Sequence, residues 1–185
     1  MPVSSEIPPH GLQLVVDFVN TVDLETQEDA LSVPEQLAAW LGERGLLGSP
    51  APDIRDAEHG QAIELREALR QAMRAHTRGE PEPPAASTVL ERIAECGQLS
   101  VAFAAGGGVE LVPRHPGYAG VLARLLVPVA DASGDGSWER AKACADDECE
   151  AAFYDRSRNR SGRWCDMSIC GNRTKVRAYR SKRGA

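Results

Sequence analysis

The sequence contains little cysteine, few aromatic residues and no long hydrophobic run. Five of its 185 residues are cysteines, and phenylalanine, tryptophan and tyrosine together make up 5%. No stretch of about 18 or more consecutive apolar residues is present, which excludes an ordinary transmembrane helix. The first residues, MPVSSEIPPH, lack the basic segment that opens a secretory signal peptide. We therefore expect no membrane association and a cytoplasmic location.

Histidine is also scarce, and its four residues are scattered at positions 10, 59, 76 and 115. No two of them have the spacing of a zinc-protease helix, and the sequence offers no serine–histidine–aspartate or paired-carboxylate pattern. The triple glycine at residues 106–108 lacks the lysine and the strand-to-helix setting of a phosphate-binding loop. We therefore expect that the chain is not an enzyme.

The composition is otherwise that of a folded protein. Hydrophobic residues account for 42% of the chain and charged residues for 26%, so a buried core is feasible. The length fits one domain, or one domain followed by a small module. The segment DASGDGSW has the composition of a hinge, and we predict two domains, residues 1–134 and 135–185.

The first domain is predicted to be mainly helical. Apolar residues recur at helical spacing in GLQLVVDFVNTVD, although its valines also suit a strand. SVPEQLAAWLGERG carries helix signals: a capping box of Ser32 and Glu35, Pro34 in the first turn, and Gly45 after the end. Helical periods also occur in ASTVLERIAEC and GYAGVLARLLVPVADA, and LSVAFAAGGGVELVPR predicts a β-hairpin.

Residues 53–78 form the longest helical pattern. One apolar stripe runs through Ala62, Leu65, Leu69, Met73 and His76. Glu64, Glu67, Arg70 and Arg74 fall outside this stripe, which indicates a long amphipathic helix. Cys96, alone on the next predicted helix, is expected to be a small buried residue.

The net charge of −6 conceals two parts of opposite sign. Residues 1–137 hold 9 Lys/Arg against 20 Asp/Glu, whereas residues 138–185 hold 12 against 7. Between Arg156 and Arg183, ten basic residues accompany a single acid, Asp166. A nucleic-acid backbone would meet this local positive field and not the average charge of the chain.

Four of the five cysteines cluster in the same basic part. They form two pairs, Cys144-x4-Cys149 and Cys165-x4-Cys170, separated by fifteen residues. Two close pairs joined by a loop of this length are typical of a tetrahedral, all-cysteine zinc site, and an iron–sulfur cluster is the main alternative. A disulfide framework does not suit the reducing cytoplasm. Because four cysteines close the ligand shell, one Zn²⁺ would be structural and not catalytic.

Local patterns predict how this segment folds. AAFYD and GRWCDM are strand candidates on either side of the polar stretch RSRNRS, so we expect a hairpin between the two cysteine pairs. RTKVRAYRSKR predicts a helix whose first turn carries the last ligand and whose N terminus faces the thiolates. Knuckle, hairpin and helix together describe a treble-clef-like finger. It contains so few apolar side chains that it should unfold without metal.

The basic residues around the cysteines have two interpretations. Some would offset the negative charge of a zinc ion bound by four thiolates. The others form a cluster at the hairpin tip and a stripe on the last helix, both suited to phosphates. The predicted nucleic-acid contacts are Arg156, Arg158, Arg160, Arg163, Arg173, Lys175, Arg177, Arg180 and Lys182. DNA is the expected partner, and RNA is not excluded because its backbone carries the same charge.

Two motifs resemble a known family. With the tetrapeptide Cys170-Gly171-Asn172-Arg173, preceded by RSRNRS and RWC, the segment from Lys142 to about Arg180 resembles the CGNR zinc finger. LVVDFVNTVD is similar to the LDFVNT signature that opens the ABATE domain, which usually precedes this finger in bacterial proteins regarded as stress-induced transcription regulators. The resemblance implies a DNA-binding finger behind a sensing or scaffolding domain.

Asp17, Asn20 and Thr21 are candidates for a small-ligand pocket. They fall at i, i+3 and i+4 on the first helix, and the alternative is that they brace neighbouring backbone. An unidentified small-molecule or protein effector would act at this first domain. The fold we predict is mainly α with a small β-hairpin (α+β), followed by a small treble-clef-like four-cysteine zinc finger.

The sequence as a whole favours a zinc-dependent, DNA-binding transcription regulator. Two alternatives stay open at this point. The chain would be a zinc-stabilised protein-interaction adaptor if the finger presents a face to a protein, or a small-ligand-binding protein if its activity resides in the helical domain.

Overall fold

The computed structural model describes residues 8–47 and 53–183, with side chains as far as residue 181. This part of the chain contains seven α-helices and three two-stranded antiparallel sheets. The predicted fold class, mainly helical with a small hairpin and a four-cysteine finger at the end, is confirmed. No helix within these residues is both long enough and apolar enough to cross a membrane. Residues 1–7, which contributed to the signal-peptide prediction, lie outside the described part.

The elements follow one another along the chain in this order: α1 (Leu12–Val19), β1 (Val22–Asp23), β2 (Glu28–Asp29), α2 (Pro34–Glu43), α3 (Asp56–Arg78), α4 (Pro84–Cys96), β3 (Leu99–Phe103), β4 (Val109–Pro113), α5 (Tyr118–Arg124), α6 (Val127–Ser133), β5 (Ala141–Ala143), β6 (Ala152–Tyr154) and α7 (Asn172–Arg183). Short 3₁₀ turns precede α1 and β5, and a π-helical turn, Met167–Gly171, precedes α7. The sheets pair β1 with β2, β3 with β4, and β5 with β6.

α1 forms where the sequence also suited a strand. The helix is favoured because its apolar residues at helical spacing all reach the core: Leu12, Val15, Val16, Phe18 and Val19 are buried. Phe18 packs against Trp40 of α2, with 5.4 Å between the ring centroids. The C-terminal end of α1 points toward the cysteine-rich segment through its packing on β6.

α2 begins without the predicted capping box. The residue before the helix is Val33, and the Ser32 hydroxyl donates to Gln36 Oε1 at 2.8 Å instead of capping a backbone N–H. Pro34 occupies the first turn, where its missing N–H removes no helical hydrogen bond. Gly45 adopts the left-handed conformation that ends the helix, as predicted, with φ +66°.

α3 is the longest helix and lies at the centre of the fold. The apolar residues of its predicted stripe, Ala62, Leu65, Leu69 and Met73, are buried. Arg70 and the neighbouring Arg66 are both buried. Arg66 donates to both carboxylate oxygens of Asp29, at 2.7 and 2.8 Å. These buried guanidinium groups are tolerated because their N–H donors find carboxylate and carbonyl acceptors.

Two other expectations for the first domain need correction. The helix predicted across GYAGVLARLLVPVADA is divided into α5 and α6, because Pro128 has no N–H to continue the hydrogen-bond ladder of α5 and instead lies in the first turn of α6. Cys96, expected to be buried, is exposed because it is the last residue of α4. The predicted hairpin does form, from β3 and β4, with Phe103 opposite Val109 next to the glycine loop.

The hydrophobic core continues into the cysteine-rich segment. β5 packs along α3, and its residues Ala141 and Ala143 are fully buried in the same cluster as the side chains of α1 and α2. Trp138, just before β5, contacts His76 of α3 edge-to-face, with 5.1 Å between the rings. The boundary near residue 134 stays a prediction, and the core spans it.

Candidate metal centre and its basic helix

The first cysteine pair lies at the end of a two-stranded sheet. Cys144 follows β5 and Cys149 precedes β6, so the loop joining these strands is the first knuckle. The predicted hairpin between the two cysteine pairs is therefore wrong: β6 pairs with β5, and GRWCDM forms no strand. The reason is that the buried strand β5 pairs with β6, so β6 is not available to pair with GRWCDM.

The segment between the pairs is held as a turn by a buried ion pair. Lys142 Nζ lies 2.8 Å from Asp155 Oδ2 and also donates to the carbonyls of Arg160 and Gly162, at 2.5 and 3.1 Å. Asp155 in turn accepts hydrogen bonds from the backbone N–H groups of Ser157 and Gly162. Although burial opposes it, Lys142 and these donors lower the pKa of Asp155 to about 2. The buried pair of Lys142 and Asp155 therefore holds the turn RSRNRS in place through hydrogen bonds to its backbone.

The second cysteine pair leads into the last helix. The Asp166 carboxylate accepts from the backbone N–H groups of Ser168 and Ile169, at 2.7 and 3.2 Å, and so caps the turn that carries Cys170. Asn172 braces the same turn, because its Nδ2 donates to the Ser168 carbonyl at 2.9 Å. The last ligand thus lies in a π-helical turn directly before α7 and not in the first turn of that helix.

The four sulfur atoms have the geometry of a tetrahedral metal site. All four Sγ atoms lie within 4.8 Å of one another, with Cys149–Cys165 at 3.6 Å and Cys165–Cys170 at 3.7 Å. A zinc ion with Zn–S bonds of about 2.3 Å requires tetrahedral sulfur–sulfur distances of about 3.8 Å. The thiols are not joined as disulfides. The cysteines therefore fit one Zn²⁺, and their four thiolates would fill its shell.

The thiols perturb one another strongly. A hydrogen bond from the Cys165 thiol lowers the pKa of Cys144 to about 5, and the resulting thiolate raises the pKa of Cys165 well above its ordinary value. Four thiolates cannot coexist at these separations without a cation, because like charges repel strongly at less than about 5 Å. A divalent metal ion removes this conflict.

Two arginines of α7 face the first knuckle. Arg173 Nε lies 2.5 Å from Asp146 Oδ2, and its other nitrogens donate to Glu25 Oε1 at 2.7 Å and to Cys170 Sγ at 3.7 Å. Arg177 Nη1 bonds Asp146 Oδ1 at 2.9 Å, and its Nη2 bonds Glu148. Although burial opposes it, these arginines lower the pKa of Asp146. The same carboxylates raise the pKa of Arg173, so both groups stay charged.

The other predicted nucleic-acid contacts lie in different settings. Arg160 pairs with Glu139 at 2.6 Å, and the guanidinium of Arg163 lies 5.5 Å from the ring centre of Trp164. Arg156 is exposed at the start of the turn. Three more, Arg158, Lys175 and Arg180, are exposed and form no ion pair with any described residue. The side chain of Lys182 lies outside the described residues.

The predicted ligand-pocket residues form structural hydrogen bonds. Asn20 bonds the backbone of Ala152 twice: Nδ2 donates to the carbonyl at 2.9 Å, and Oδ1 accepts from the N–H at 2.7 Å. The Thr21 hydroxyl donates to the Phe18 carbonyl at 2.8 Å, and Asp17 accepts from Gln13. These are the contacts of the bracing alternative, and the pocket stays a prediction.

Several residues that shape the centre were missed by the sequence analysis. Asp146, Glu25, Lys142 and Asp155 all hold parts of the finger in place, and none was a candidate. One signal was available: the acidic run Asp146–Glu148 lies inside the first cysteine pair, and the arginines follow the second. Two knuckles that share one ion must bring these opposite charges together. The Glu25 contact spans 148 residues, and no sequence pattern indicated it.

Comparison with known protein families agrees with this architecture. A family model named ABATE and described as "Putative stress-induced transcription regulator" matches residues 12–136. A second model, the CGNR zinc finger, matches residues 140–183 and contains all four clustered cysteines. No curated protein matches the chain. The zinc-finger match and the sulfur geometry together assign one structural Zn²⁺ to the four cysteines. The chain belongs to the ABATE family and carries a CGNR zinc finger at its C-terminal end.

Proposed function

We propose that the protein is a DNA-binding transcription regulator whose zinc finger contacts the phosphate backbone. It acts without catalysis, because four cysteines complete the zinc shell and leave no position for a water molecule or a substrate. Contact with DNA agrees with the predicted cytoplasmic location. The metal would stabilise the fold of the finger, and the basic side chains around it would contact the phosphates of the DNA.

The observation that carries the proposal is the distribution of charge after internal ion pairing. The carboxylates of the finger are engaged by ion pairs or hydrogen bonds within the chain: Glu139, Asp146, Asp147, Glu148, Glu150, Asp155 and Asp166. They leave exposed cations at Arg158, Lys175 and Arg180. Such cations attract phosphates, and their binding releases counterions.

A salt series tests this function. Binding of the full, zinc-loaded chain to a labelled duplex is measured by fluorescence anisotropy between 50 and 300 mM salt, as rough limits. The Lys175→Ala/Arg180→Ala variant should bind more weakly, and the slope of log affinity against log salt should fall by about 0.9 for each phosphate-binding side chain removed. Arg92→Ala, on α4 and paired with Glu64, is the matched control and should bind like the parent.

Four results would decide against DNA. Absence of duplex binding at the lowest salt would remove the proposed function, and so would equal slopes for the parent and the double variant. A markedly higher affinity for a single-stranded or hairpin RNA would redirect it to RNA. Salt-insensitive capture of one protein partner would favour the adaptor alternative.

A second candidate function, control by a small effector, is favoured by a crevice of about 470 Å³ where the two family-matched parts meet. Its lining includes His76 and Glu82 from the helical part, and Trp138 and Arg160 from the junction and the finger. Small-molecule sites typically have this size. A compound that occupies it should raise the melting temperature of the parent and not of a Glu82→Ala/Trp138→Phe variant. If no compound of a broad metabolite panel does so, this candidate fails.

A further inference from the structure

The last helix has two faces of different character. Arg173 and Arg177, at i and i+4, point toward the first knuckle, where Asp146 and Glu148 hold them, and Arg173 also pairs with Glu25 of the first domain. Within the described residues, the acids that form ion pairs with α7 lie on this side. The arginine face is therefore already neutralised by the protein itself. A phosphate that approached it would have to displace carboxylates at hydrogen-bond distance.

The opposite side of α7 combines exposed apolar and basic side chains. We define the outward face as Lys175, Val176 and Tyr179, with Val176 and Tyr179 one helical turn apart. Val176 is 47% exposed and Tyr179 is 59% exposed. Ile169, in the turn before the helix, is 60% exposed as well. Val176, Tyr179 and Ile169 are thus all more than 45% exposed within the described part of the chain.

Exposed apolar residues on a projecting helix are costly unless a partner removes them from water. Charge complementarity identifies that partner. α7 contains no acidic residue, so the apolar centre of the outward face has only a cationic border, formed by Lys175 and Arg180. A polyanion with an accessible apolar surface fits this combination. Duplex DNA offers one, because thymine methyl groups line its major groove, which is about 12 Å wide and admits an α-helix.

We propose that α7 enters the major groove of DNA with its outward face, so that Val176 and Tyr179 contact thymine methyl groups while Lys175 and Arg180 contact phosphates. Arg173 and Arg177 position the helix on the knuckle and do not read the DNA. This inference rests on the proposed DNA-binding function and assigns the reading surface within the finger.

The experiment uses duplexes that the full zinc-loaded chain selects from a random-sequence pool. Affinity for a selected duplex is compared between the parent, Val176→Ala/Tyr179→Ala, and the control Val101→Ala/Phe103→Ala, which removes exposed apolar groups from β3. The α7 variant should lose about tenfold or more in affinity for the selected duplex, with an unchanged salt slope. Zinc content and melting temperature should match the parent, since both side chains are exposed.

A second arm replaces thymine by deoxyuridine, which lacks only the methyl group. The parent should bind the substituted duplex about fourfold more weakly per contacted methyl, and the α7 variant should be indifferent to the replacement. If the parent binds selected DNA but the α7 variant binds it equally well, the outward-face inference is overturned and the DNA-binding function stands. If the parent binds no duplex at all, the proposed function fails first. Preferential binding of an RNA or a protein through Val176 and Tyr179 would also overturn the assignment.

Discussion

At the scale of single residues, Asp146 connects the two halves of the metal centre. It lies between the first two ligands, is 1% exposed, and accepts from arginines that follow the last ligand. Its position explains why the finger needs an acid there: the carboxylate orients α7 without being a ligand itself. A buried carboxylate that satisfies two guanidinium groups is costly to remove, because both cations are then left without their partner.

Substituting Asp146→Asn should therefore destabilise the zinc-loaded protein by about 2–3 kcal/mol. The neighbouring Asp147→Asn is the matched control. Asp147 is 80% exposed and its pairs with Arg74 and Arg78 are long, so we expect a change within about 0.5 kcal/mol. Urea unfolding followed by circular dichroism measures both. Equal stability of the two variants would show that the Asp146 contacts do not hold the helix.

A second residue-scale prediction concerns pH. Arg66 lowers the pKa of Asp29 although burial opposes it, so the folded state binds this proton more weakly than the unfolded state. The stabilisation is fully present above the unfolded pKa of about 4 and is lost as the pH falls through the lower folded value. We expect Asp29→Asn to cost about 2 kcal/mol at pH 7, and the difference from the parent to shrink below about pH 4.

Urea titrations of the parent and Asp29→Asn from neutral to acid pH measure this difference. Both proteins release zinc alike as their thiolates protonate, so only the gap between them is informative. The matched control is Asp23→Asn, also in the β1–β2 hairpin, whose carboxylate accepts local hydrogen bonds from the backbone N–H groups of Glu25 and Thr26. A gap that stays constant down to pH 3, or widens on acidification, would contradict the proposed role of the ion pair.

At the scale of elements, Asn20 at the end of α1 connects this helix to strand β6 by hydrogen bonds. Ala152 pairs with Ala143 of β5, and the two hydrogen bonds of Asn20 satisfy its backbone N–H and carbonyl as a further strand would. Asn20→Ala should cost about 1–3 kcal/mol, because a buried N–H and a carbonyl lose their partners together. Asn20→Asp keeps the acceptor for the N–H but loses the donor to the carbonyl. Its stability should therefore fall between those of the parent and Asn20→Ala. Thermal unfolding measures the order of the three stabilities. If Asn20→Ala is as stable as the parent, these hydrogen bonds do not hold β6 in place.

Elements with a strong local signal could be predicted from the sequence. The stripe of α3, the glycine-flanked hairpin of β3 and β4, and the four-cysteine spacing each depend on residues close together in the chain. Features set by distant partners were missed or misplaced. β6 pairs with β5 because β5 is buried against α3, and Arg70 is buried because it bonds the carbonyls of Val19 and Glu150. No local pattern contains those partners.

The basic residues of α7 also have some features that local sequence predicts and others that depend on distant partners. Their number and helical spacing could be read from the sequence, and this predicted a cationic helix. Which basic residues are paired depends on acids 27 to 31 residues earlier, and on Glu25 in the first domain. Ion pairing in the folded protein thus divides one uniform sequence pattern into a structural face and an exposed one.

At the scale of the whole molecule, the finger is integrated with the helical domain. β5 lies in the common core, Arg70 and Asn20 bond the first knuckle and β6, and Glu25 reaches Arg173. Zinc binding and folding are therefore coupled beyond the finger itself. A change at the metal should alter the stability of α1 and α3, which contain none of its ligands.

Removing one ligand tests this coupling. Cys149→Ser should abolish stoichiometric zinc binding and lower the free energy of unfolding by more than about 3 kcal/mol, since zinc contributes about 10–16 kcal/mol in finger peptides and β5 keeps its core contacts. Cys96→Ser, the matched control at the exposed fifth cysteine, should retain one zinc per chain and the stability of the parent. Helical circular dichroism and tryptophan fluorescence should report one coincident transition in each protein. Two separate transitions in Cys149→Ser, with the upper one at the melting temperature of the parent, would show instead that the helical domain does not depend on the metal.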